Sequence, residues 1–397
     1  MALIVQKYGG SSVGTIDRIR NVARRLIETQ QAGNKVVAVI SAMSGVTDKL
    51  IGLAHQVMDN PPERELDMLL ATGEQQSIAL LCMAIADMGF KARSFTGAQA
   101  GICTYGSHTR GRIDSIDPKL VLGALDEGCI VVCAGFQGVD KLGTVYTLGR
   151  GGSDLSAIAM AAAVKADICQ IFTDVDGVYT CDPRVVKDAR KIPVLSYEEM
   201  LEMASSGSKV MQARSVEFAK KFGVVFEVRN SMNNNPGTIV QEENSAMESL
   251  VVRGVSIERN QARVTVSGIT APVAYTALIL TALSEAEINV DMIVANTAHD
   301  GQARQSFTMN MSDLGAAQAA LKKVLPQLGE KACLETEAGL AKLSVVGVGM
   351  RSHTGVAATV FRSLAESGIQ TGMIATSEIR ISTTVEAGDI EQAARVV

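Results

Sequence analysis

The chain has 397 residues, of which 47% are hydrophobic, and its 37 basic and 42 acidic side chains give a formal net charge of −5 at pH 7. This length allows two or three domains, and the negative charge, with no basic stripe, argues against nucleic acid as a partner. The longest apolar run, residues 78–86, is too short to cross a bilayer, and no signal peptide precedes the first strand, so we expect a cytoplasmic protein without a membrane partner.

The chain begins with an apolar run that leads into a glycine-rich loop. Residues 3–6 read LIVQ, and KYGGSS follows at residues 7–12. The glycines let backbone N–H groups approach an oxyanion, the next helix adds the positive end of its dipole, and Lys7 adds a full charge. The lysine precedes the glycines, so this is not a P-loop. By itself the pattern fits a phosphate site and a plain turn with a surface lysine equally well.

Residues 1–230 alternate apolar, strand-like runs with segments of helical period. The predicted strands are 3–7, 35–41, 91–96, 129–136, 168–174 and 224–230, and the predicted helices include 15–31, 47–58 and 64–88. This alternation predicts an α/β fold with a mostly parallel sheet sandwiched by helices. Ligands of such sheets gather at the carboxyl ends of strands, where Lys7, Ser41 and Asp174 are expected.

The sequence after residue 260 contains an internal repeat. Residues 262–269 match 341–348, and residues 282–293 match 363–374. Each copy has the order of a βαββαβ unit, and two unrelated α+β segments are the alternative. We predict a catalytic domain at 1–243, a linker at 244–260 and α+β domains at 261–336 and 337–397. The second of these ends within its last predicted helix, so we expect it to be truncated at its C-terminus.

Six motifs in a fixed order carry a resemblance to a known family. They are KYGGSS at 7–12, SAMSGVT at 41–47, TGEQ at 72–75, TLGRGGSD at 147–154, TDVDGVYTCDPR at 173–184 and GSKV at 207–210. Together they resemble bacterial aspartate kinases (aspartokinases) of the monofunctional class regulated by lysine or threonine. The resemblance implies an amino-acid kinase domain followed by two ACT domains. It also implies phosphorylation of the side-chain carboxylate of L-aspartate by MgATP, the first step of lysine, threonine and methionine biosynthesis.

The resemblance implies catalytic roles for Lys7 and Asp154. Lys7 would neutralise charge on the transferring phosphoryl group, and Asp154 would orient Lys7 or the Mg²⁺-bound phosphate. A general base is not needed, because the acceptor carboxylate has no proton to lose. Arg150 would hold the α-carboxylate of aspartate and Glu74 its α-ammonium. Without the resemblance, the sequence favours a solvated helix glutamate at position 74. The full set of expected substrate contacts is Ser41, Thr47, Glu74, Arg150, Gly151, Gly152 and Ser153.

ATP is expected to contact two groups of residues. The first group is Lys7, Gly9, Gly10 and Ser11. The second group is Thr173, Asp174, Tyr179, Asp182, Arg184 and Lys209, although the Asp-Gly and Asp-Pro pairs in this stretch are also ordinary turn formers. No metal-ligating residues are predicted, because the seven cysteines and four histidines show no zinc or disulfide spacing.

The regulatory half departs from its family at one loop. First ACT copies usually carry Asp-x-Pro-Gly at the start of their helix, whereas this chain has TAPVAY at 270–275. The effector, lysine and/or threonine, is therefore expected on later segments, at Met292, Ile293, Asn296, Thr376 and Ser377. The resemblance also implies a homo-oligomer formed through the ACT domains. A separate regulatory subunit could arise from an internal start near Met247.

Two other functions are weighed against this one. Another amino-acid kinase, acting on acetylglutamate or carbamate, is disfavoured by the motif at 147–154 and by the duplicated tail. A catalytically silent amino-acid sensor is disfavoured because Lys7, Glu74, Arg150 and Asp154 are all present.

Overall fold

A computed structural model describes residues 1–208, 210–243, 251–270, 275–297 and 302–397, which form two compact units. The first unit comprises the described residues of Met1–Val178, Lys191–Ala204 and Lys209–Met247. The second comprises those of Tyr179–Arg190, Ser205–Ser208 and Glu248–Val397. Residues 244–250, with the predicted internal start at Met247, lie outside the described residues, so that start stays a prediction.

The first unit contains strands and helices in alternation. From the N-terminus they are β1 (Leu3–Tyr8), α1 (Ile16–Gln31), β2 (Lys35–Ile40), α2 (Val46–Val57), α3 (Glu63–Leu70), α4 (Thr72–Asp87), β3 (Ala92–Phe95), β4 (Ile102–Tyr105), β5 (Arg112–Ile116) and α5 (Lys119–Asp126). They continue as β6 (Ile130–Ala134), β7 (Gln137–Val139), β8 (Val145–Thr147), α6 (Gly152–Val164), β9 (Ile168–Thr173), β10 (Val194–Ser196), α7 (Tyr197–Ser205), α8 (Ala213–Phe222), β11 (Phe226–Asn230) and β12 (Thr238–Gln241).

The main sheet of this unit has eight strands in the order β10-β12-β11-β9-β1-β2-β6-β3. Strands β11, β9, β1, β2, β6 and β3 run parallel, and β12 runs antiparallel to β11. The central strands are almost continuous apolar runs, as strands covered on both faces require. The predicted mostly parallel sheet is confirmed.

Helices cover both faces of this sheet. One core cluster joins α1 and α4 to alternate residues of the strands, including Leu26, Leu81 and Ile130. Helix α6 packs against β1, β2 and β9 from the other side. By length and composition alone, Glu63–Asp87 could cross a membrane, but its apolar residues Ile78, Leu81 and Ile85 pack in this core.

A small second sheet in the first unit was not predicted. Its strands have the order β5-β4-β7-β8, and Gln137 of β7 lies opposite Thr147 of β8. The strands have three to five residues each, too short for an alternating pattern to stand out in the sequence. The sheet leads directly into the segment that carries Arg150.

The second unit contains the two βαββαβ copies. Its elements are β13 (Gly254–Ile269), α9 (Tyr275–Glu285), β14 (Ile293–Thr297), β15 (Ala303–Asn310), α10 (Leu314–Leu328), β16 (Cys333–Val346), α11 (Val356–Glu366), β17 (Ile374–Thr376), β18 (Arg380–Glu386) and α12 (Ile390–Val396). The strands form one sheet in the order β14-β15-β13-β16-β18-β17. Each copy keeps its own apolar core, which contains Phe307 in the first copy and Leu364 in the second.

The two copies exchange strands at the centre of this sheet. Residues 263–267 of β13 pair with 333–337 of β16, whereas residues 254–258 of β13 pair with 342–346 of β16. Residues 342–346 begin the second copy, and residues 254–258 therefore form the strand next to them. We predicted a linker at 244–260, and for residues 254–260 that prediction is wrong. The predicted boundary at 336/337 falls inside the continuous strand β16.

Residues 179–190 also depart from the predicted domain boundary. Cys181 and Val185 pack with Leu343 and Leu364 in the core of the second copy, and the Val255 amide donates to the Thr180 carbonyl oxygen at 2.7 Å. This segment therefore belongs to the second unit, although we placed it in the catalytic domain. Its apolar residues are too few for the sequence to show which core they join.

Candidate active site

Four parallel strands end at the same edge of the large sheet. Tyr8 of β1 lies opposite Ile40 of β2 and Phe172 of β9, and Ile40 lies opposite Ala134 of β6. The loops that follow these strands therefore meet at one edge, where ligands of open α/β sheets bind. Lys7, Ser41, Thr173 and Asp174 all lie at this edge, as predicted.

The central feature of the edge is an ion pair between the two predicted catalytic residues. The Lys7 ammonium lies 2.6 Å from Asp154 Oδ1, and the two side chains are only 11% and 12% exposed. Asp154 is in the first turn of α6, where the helix dipole favours a negative charge. The contact is an ion pair without the angles of an aligned hydrogen bond. It fixes the ammonium of β1 against the N-terminus of α6.

The loop after β1 brings backbone donors next to this pair. The Gly9 amide donates to the Phe172 carbonyl oxygen at 3.3 Å, and its predicted contact with phosphate stays a prediction. Gly10 and Ser11 begin a 3₁₀ turn, and among the described residues their amides donate to no backbone carbonyl. These are the orphan donors of a helix start, which suit an anion. A Cβ on Gly10 would lie 2.8 Å from the Ala42 carbonyl oxygen, so this close approach of two loops requires glycine.

The backbone at the N-terminus of α6 is as closely packed as the backbone at Gly10. Gly151 has φ 67°, and a Cβ there would lie 2.3 Å from the Gln212 side chain. A Cβ on Gly152 would lie 2.8 Å from the Leu148 Cβ, so both predicted glycines are needed for the turn. Ser153 is buried against Gly135. Arg150, by contrast, is exposed, and among the described residues its guanidinium has no ion-pair partner.

Glu74 is buried, although the sequence alone favoured a solvated helix glutamate. It is 3% exposed in the first turn of α4, and its Oε1 accepts a hydrogen bond from the Ala42 amide at 3.0 Å. Its Oε2 is buried and has no hydrogen-bond partner among the described residues. Burial raises the pKa of Glu74 to about 7. A buried carboxylate oxygen without a donor is costly, and a ligand ammonium would satisfy it.

Ser41 and Thr47 frame the loop between β2 and α2. The Ser41 amide donates to the Tyr8 carbonyl oxygen at 3.1 Å, which continues the ladder between β1 and β2. Thr47 is half-buried in the first turn of α2, after Gly45 with φ 79°. The structure therefore brings Ser41 to the sheet edge and places Thr47 on the adjoining helix.

The predicted nucleotide residues fall into three groups. Thr173 ends β9 at the sheet edge and Asp174 follows it, and the Thr173 hydroxyl donates to Asp174 Oδ1 at 3.1 Å. Tyr179, Asp182 and Arg184 belong to the second unit, where Asp182 and Arg184 form an ion pair at 2.8 Å. Lys209 lies outside the described residues. The contribution of all three groups to ATP binding stays a prediction.

The predicted effector residues are spread over the second unit. Asn296 lies on β14 and Thr376 on β17, which are the two opposite edges of the six-stranded sheet. Ser377 and Ile293 are exposed, whereas the Met292 side chain is 2% exposed and belongs to the core. Their contacts with an effector stay a prediction. Within one chain these residues do not form a single site. Residues 271–274 of the altered loop lie outside the described residues.

Two residues at this edge of the large sheet were not predicted from the sequence. Gly135 follows β6, and a Cβ there would lie 2.8 Å from Ser153 Oγ. Phe136 adopts φ 66°, which is strained for a residue other than glycine, and its amide donates to Ser156 Oγ at 3.1 Å. A glycine directly after a buried strand indicates a close approach of another segment, so the role of Gly135 could have been predicted from the sequence. Nothing in the sequence marks the strained phenylalanine.

Comparisons with known proteins agree with this geometry. The model of the amino acid kinase family matches residues 2–230, and that of an ACT domain matches residues 343–397. The aspartokinase of Geobacillus stearothermophilus is 51% identical, over 97% of this chain and 94% of its own. That of Pseudomonas aeruginosa is 48% identical, over 100% of this chain and 97% of its own.

Solved structures share the fold. E. coli aspartokinase III in complex with aspartate and ADP superposes with a TM-score of 0.82 at 24% identity, over 99% of this chain and 98% of its own. The same enzyme in complex with lysine and aspartate gives a TM-score of 0.77 at the same identity and the same two coverages. The relatives that match over nearly their full length decide the family. The chain belongs to the aspartokinase family.

Proposed function

We propose that the chain uses MgATP to phosphorylate the side-chain carboxylate of L-aspartate, giving 4-phospho-L-aspartate. This reaction is the first step of lysine, threonine and methionine biosynthesis. The observation that carries the proposal is the buried Lys7–Asp154 pair at the sheet edge that also holds the unpartnered Oε2 of Glu74. Membership of the aspartokinase family supports the same reaction.

Phosphoryl transfer to a carboxylate requires two anions to approach each other. The Lys7 ammonium, held at 2.6 Å from Asp154, would neutralise charge on the transferring group, and the amides of Gly10 and Ser11 would donate to its oxygens. The acceptor carboxylate is already a nucleophile, so Asp154 orients Lys7 and removes no proton. Catalysis is then mainly positioning and charge neutralisation.

The carboxylates at this edge fit an Mg²⁺ ion that comes with the nucleotide. Among the described residues, no three His, Cys, Asp or Glu side chains are grouped so as to hold a metal ion. Mg²⁺ usually binds through one or two carboxylates together with substrate phosphates. Asp154 and the exposed Asp174 would supply such carboxylates. When bound, the ion would neutralise negative charge on the phosphates.

The aspartate substrate would be held by its α-groups. Glu74 Oε2 would accept from the α-ammonium, and the exposed Arg150 guanidinium would donate to the α-carboxylate in a bidentate pair. With both α-groups held, the side-chain carboxylate is left to face Lys7. Glu74 and Arg150 are therefore the two clamps of the substrate. We predict that they determine the affinity for aspartate and leave the affinity for ATP unchanged.

The ionisation of Glu74 predicts a pH dependence for substrate binding. The raised pKa of about 7 means that Glu74 in the free enzyme takes up a proton as the pH falls below 7 and loses its attraction for an ammonium. The KM for aspartate is therefore expected to rise by about tenfold per pH unit below pH 7. Steady-state kinetics from pH 5.5 to 8.5 measures this. Glu74→Gln should raise the KM and abolish its pH dependence, and an unchanged slope in that variant would exclude Glu74 as the titrating group.

A coupled ADP-release assay tests the reaction. We expect MgATP turnover to depend on aspartate and not on glutamate or acetylglutamate. Turnover with acetylglutamate alone would identify a different amino-acid kinase. No turnover with any amino acid, combined with binding of lysine or threonine, would identify a silent sensor.

We further propose feedback inhibition by lysine and/or threonine at the ACT domains, in a homo-oligomer located in the cytoplasm. One supporting observation is that the second unit carries two βαββαβ copies and none of the residues proposed to hold aspartate. Another is that E. coli aspartokinase III has been solved with lysine. A separate regulatory subunit that starts near Met247 belongs to the same proposal.

Effector titration tests this regulation. We expect lysine, threonine or both to inhibit with a coupling of about 1–3 kcal/mol to the substrate site. The altered loop at 270–275 predicts control by one effector, or weak control, without strong synergy. Calorimetry and activity are measured for each amino acid alone and for the pair. If neither binds at about 10 mM, the regulatory proposal fails. Strong inhibition only by the pair would show that the loop change has no effect.

A further inference from the structure

A buried carboxylate of the first unit has no part in the mechanism described so far. Asp67 of α3 is 0% exposed and accepts hydrogen bonds from three donors. They are His108 Nδ1 at 2.7 Å, the Thr109 amide at 3.0 and 3.1 Å, and the Thr147 hydroxyl at 2.5 Å. A carboxylate only accepts, so His108 carries its hydrogen on Nδ1. Charge-assisted hydrogen bonds of this kind are short and hold their partners firmly.

The partners of Asp67 lie on the segment that leads to Arg150. Thr147 ends β8, and Arg150 follows three residues later. His108 and Thr109 lie between β4 and β5, where Thr109 adopts the left-handed φ of 62°. The Gly111 amide donates to the Thr147 carbonyl oxygen at 2.8 Å. Asp67 therefore fastens the end of β8 and the neighbouring loop to α3.

The helix that carries Asp67 leads to Glu74. The Ala71 amide donates to the Asp67 carbonyl oxygen at 3.0 Å, and α4 begins at the next residue, Thr72. The Gln137 side chain donates to the Ala71 carbonyl oxygen at 2.8 Å, a second tie at the same junction. Asp67 therefore connects α3, which leads into the first turn of α4 with Glu74, to the strand that ends before Arg150.

We propose that Asp67 is a positioning residue for the amino-acid substrate, because it fixes the spacing between the Glu74 carboxylate and the Arg150 guanidinium. The proposal rests on the function proposed above. A substrate that is held at both α-groups requires this spacing, since a misplacement of about 1 Å can reduce the rate about a hundredfold. Asp67 touches no reacting group and acts only through the two clamps.

The test compares Asp67→Asn with Thr147→Val and with a control. Asp67→Asn replaces one accepting oxygen by an NH₂ group, which cannot accept from the donors that face it. Thr147→Val removes a single donor and leaves the Asp67 carboxylate in place. Asp140→Asn is the control, because Asp140 accepts from the Leu142 and Thr144 amides in the β7–β8 turn and contacts neither clamp. We expect Asp67→Asn to raise the KM for aspartate at least tenfold and that for ATP less than twofold. Thr147→Val should act in the same direction with a smaller effect, and Asp140→Asn should leave both constants unchanged.

A double-variant cycle with Arg150→Ala separates positioning from general structural support. If Asp67 acts through the spacing of the clamps, adding Asp67→Asn to Arg150→Ala should raise the KM for aspartate by less than threefold. Full additivity, or an equal rise in the constants for ATP and aspartate, would overturn the proposal. If Asp67→Asn does not fold, the same cycle with Thr147→Val decides. Failure of the proposed reaction would be recognised separately, as a wild-type enzyme without aspartate-dependent turnover.

Discussion

Replacing Lys7 by alanine is expected to reduce kcat at least a hundredfold at saturating ATP and aspartate. The substitution removes the ammonium that Asp154 holds at the sheet edge, and comparable preorganised donors supply about 3–4 kcal/mol of transition-state stabilisation. It also leaves the Asp154 carboxylate buried without its cation, which is expected to lower the free energy of unfolding by about 3 kcal/mol. Single-turnover kinetics together with thermal denaturation measures both effects.

A neighbouring lysine provides the control for this variant. Lys35 lies on the adjacent strand β2 and pairs with the exposed Asp126 at 2.7 Å, outside the site. Lys35→Ala is expected to keep full kcat and nearly full stability, because exposed ion pairs contribute about 0–1 kcal/mol. Lys7→Met keeps the apolar stem and should lose as much activity as Lys7→Ala. Unchanged turnover in both folded Lys7 variants would exclude Lys7 from catalysis.

Replacing Arg150 by alanine is expected to raise the KM for aspartate by about a hundredfold, because a charged donor that pairs with a carboxylate contributes about 1.5–3 kcal/mol. The KM for ATP should change less than twofold. Arg150 is exposed and has no ion-pair partner among the described residues, so its loss should not affect stability. Initial rates over a matrix of both substrate concentrations separate the two constants.

The matched control for Arg150 is Arg93→Ala. Arg93 is an exposed arginine of the same unit that pairs with Glu127 at 2.6 Å. Arg93→Ala should leave the KM for aspartate and the KM for ATP unchanged. If Arg150→Ala weakened ATP and aspartate equally, the division of the site into a nucleotide side and an amino-acid side would be wrong.

The sheet and its functional edge were predictable because their signal is local. The parallel strands are continuous apolar runs, and Lys7, Ser41 and Asp174 directly follow or end such runs. In a parallel sheet, this position in sequence determines the edge on which a side chain lies. Asp154 could be assigned only through the resemblance of its motif, and the structure then placed it against Lys7.

The burial of individual side chains was not predictable from the sequence. Glu74 accepts a hydrogen bond from a residue 32 positions away in sequence and Asp67 from one 80 positions away, so their environment depends on tertiary packing. Without the family resemblance, Glu74 is interpreted as a solvated helix residue, and nothing in the sequence singles out Asp67, whereas in the structure Glu74 is 3% and Asp67 is 0% exposed. The strand exchange at residues 254–258 depends on pairing with residues about 90 positions away, which no local pattern encodes.

In the proposed reaction, the two α-groups of aspartate are clamped and its side-chain carboxylate is phosphorylated. Trapping the product with hydroxylamine tests it most directly, because the nitrogen attacks the acyl phosphate, releases phosphate and leaves a stable hydroxamate at the phosphorylated carboxyl group. NMR and mass spectrometry of the trapped product from MgATP and ¹³C-labelled aspartate identify that carboxyl group. We expect only the β-hydroxamate of aspartate, formed in step with ADP. An α-hydroxamate, or ADP release without any hydroxamate, would contradict it.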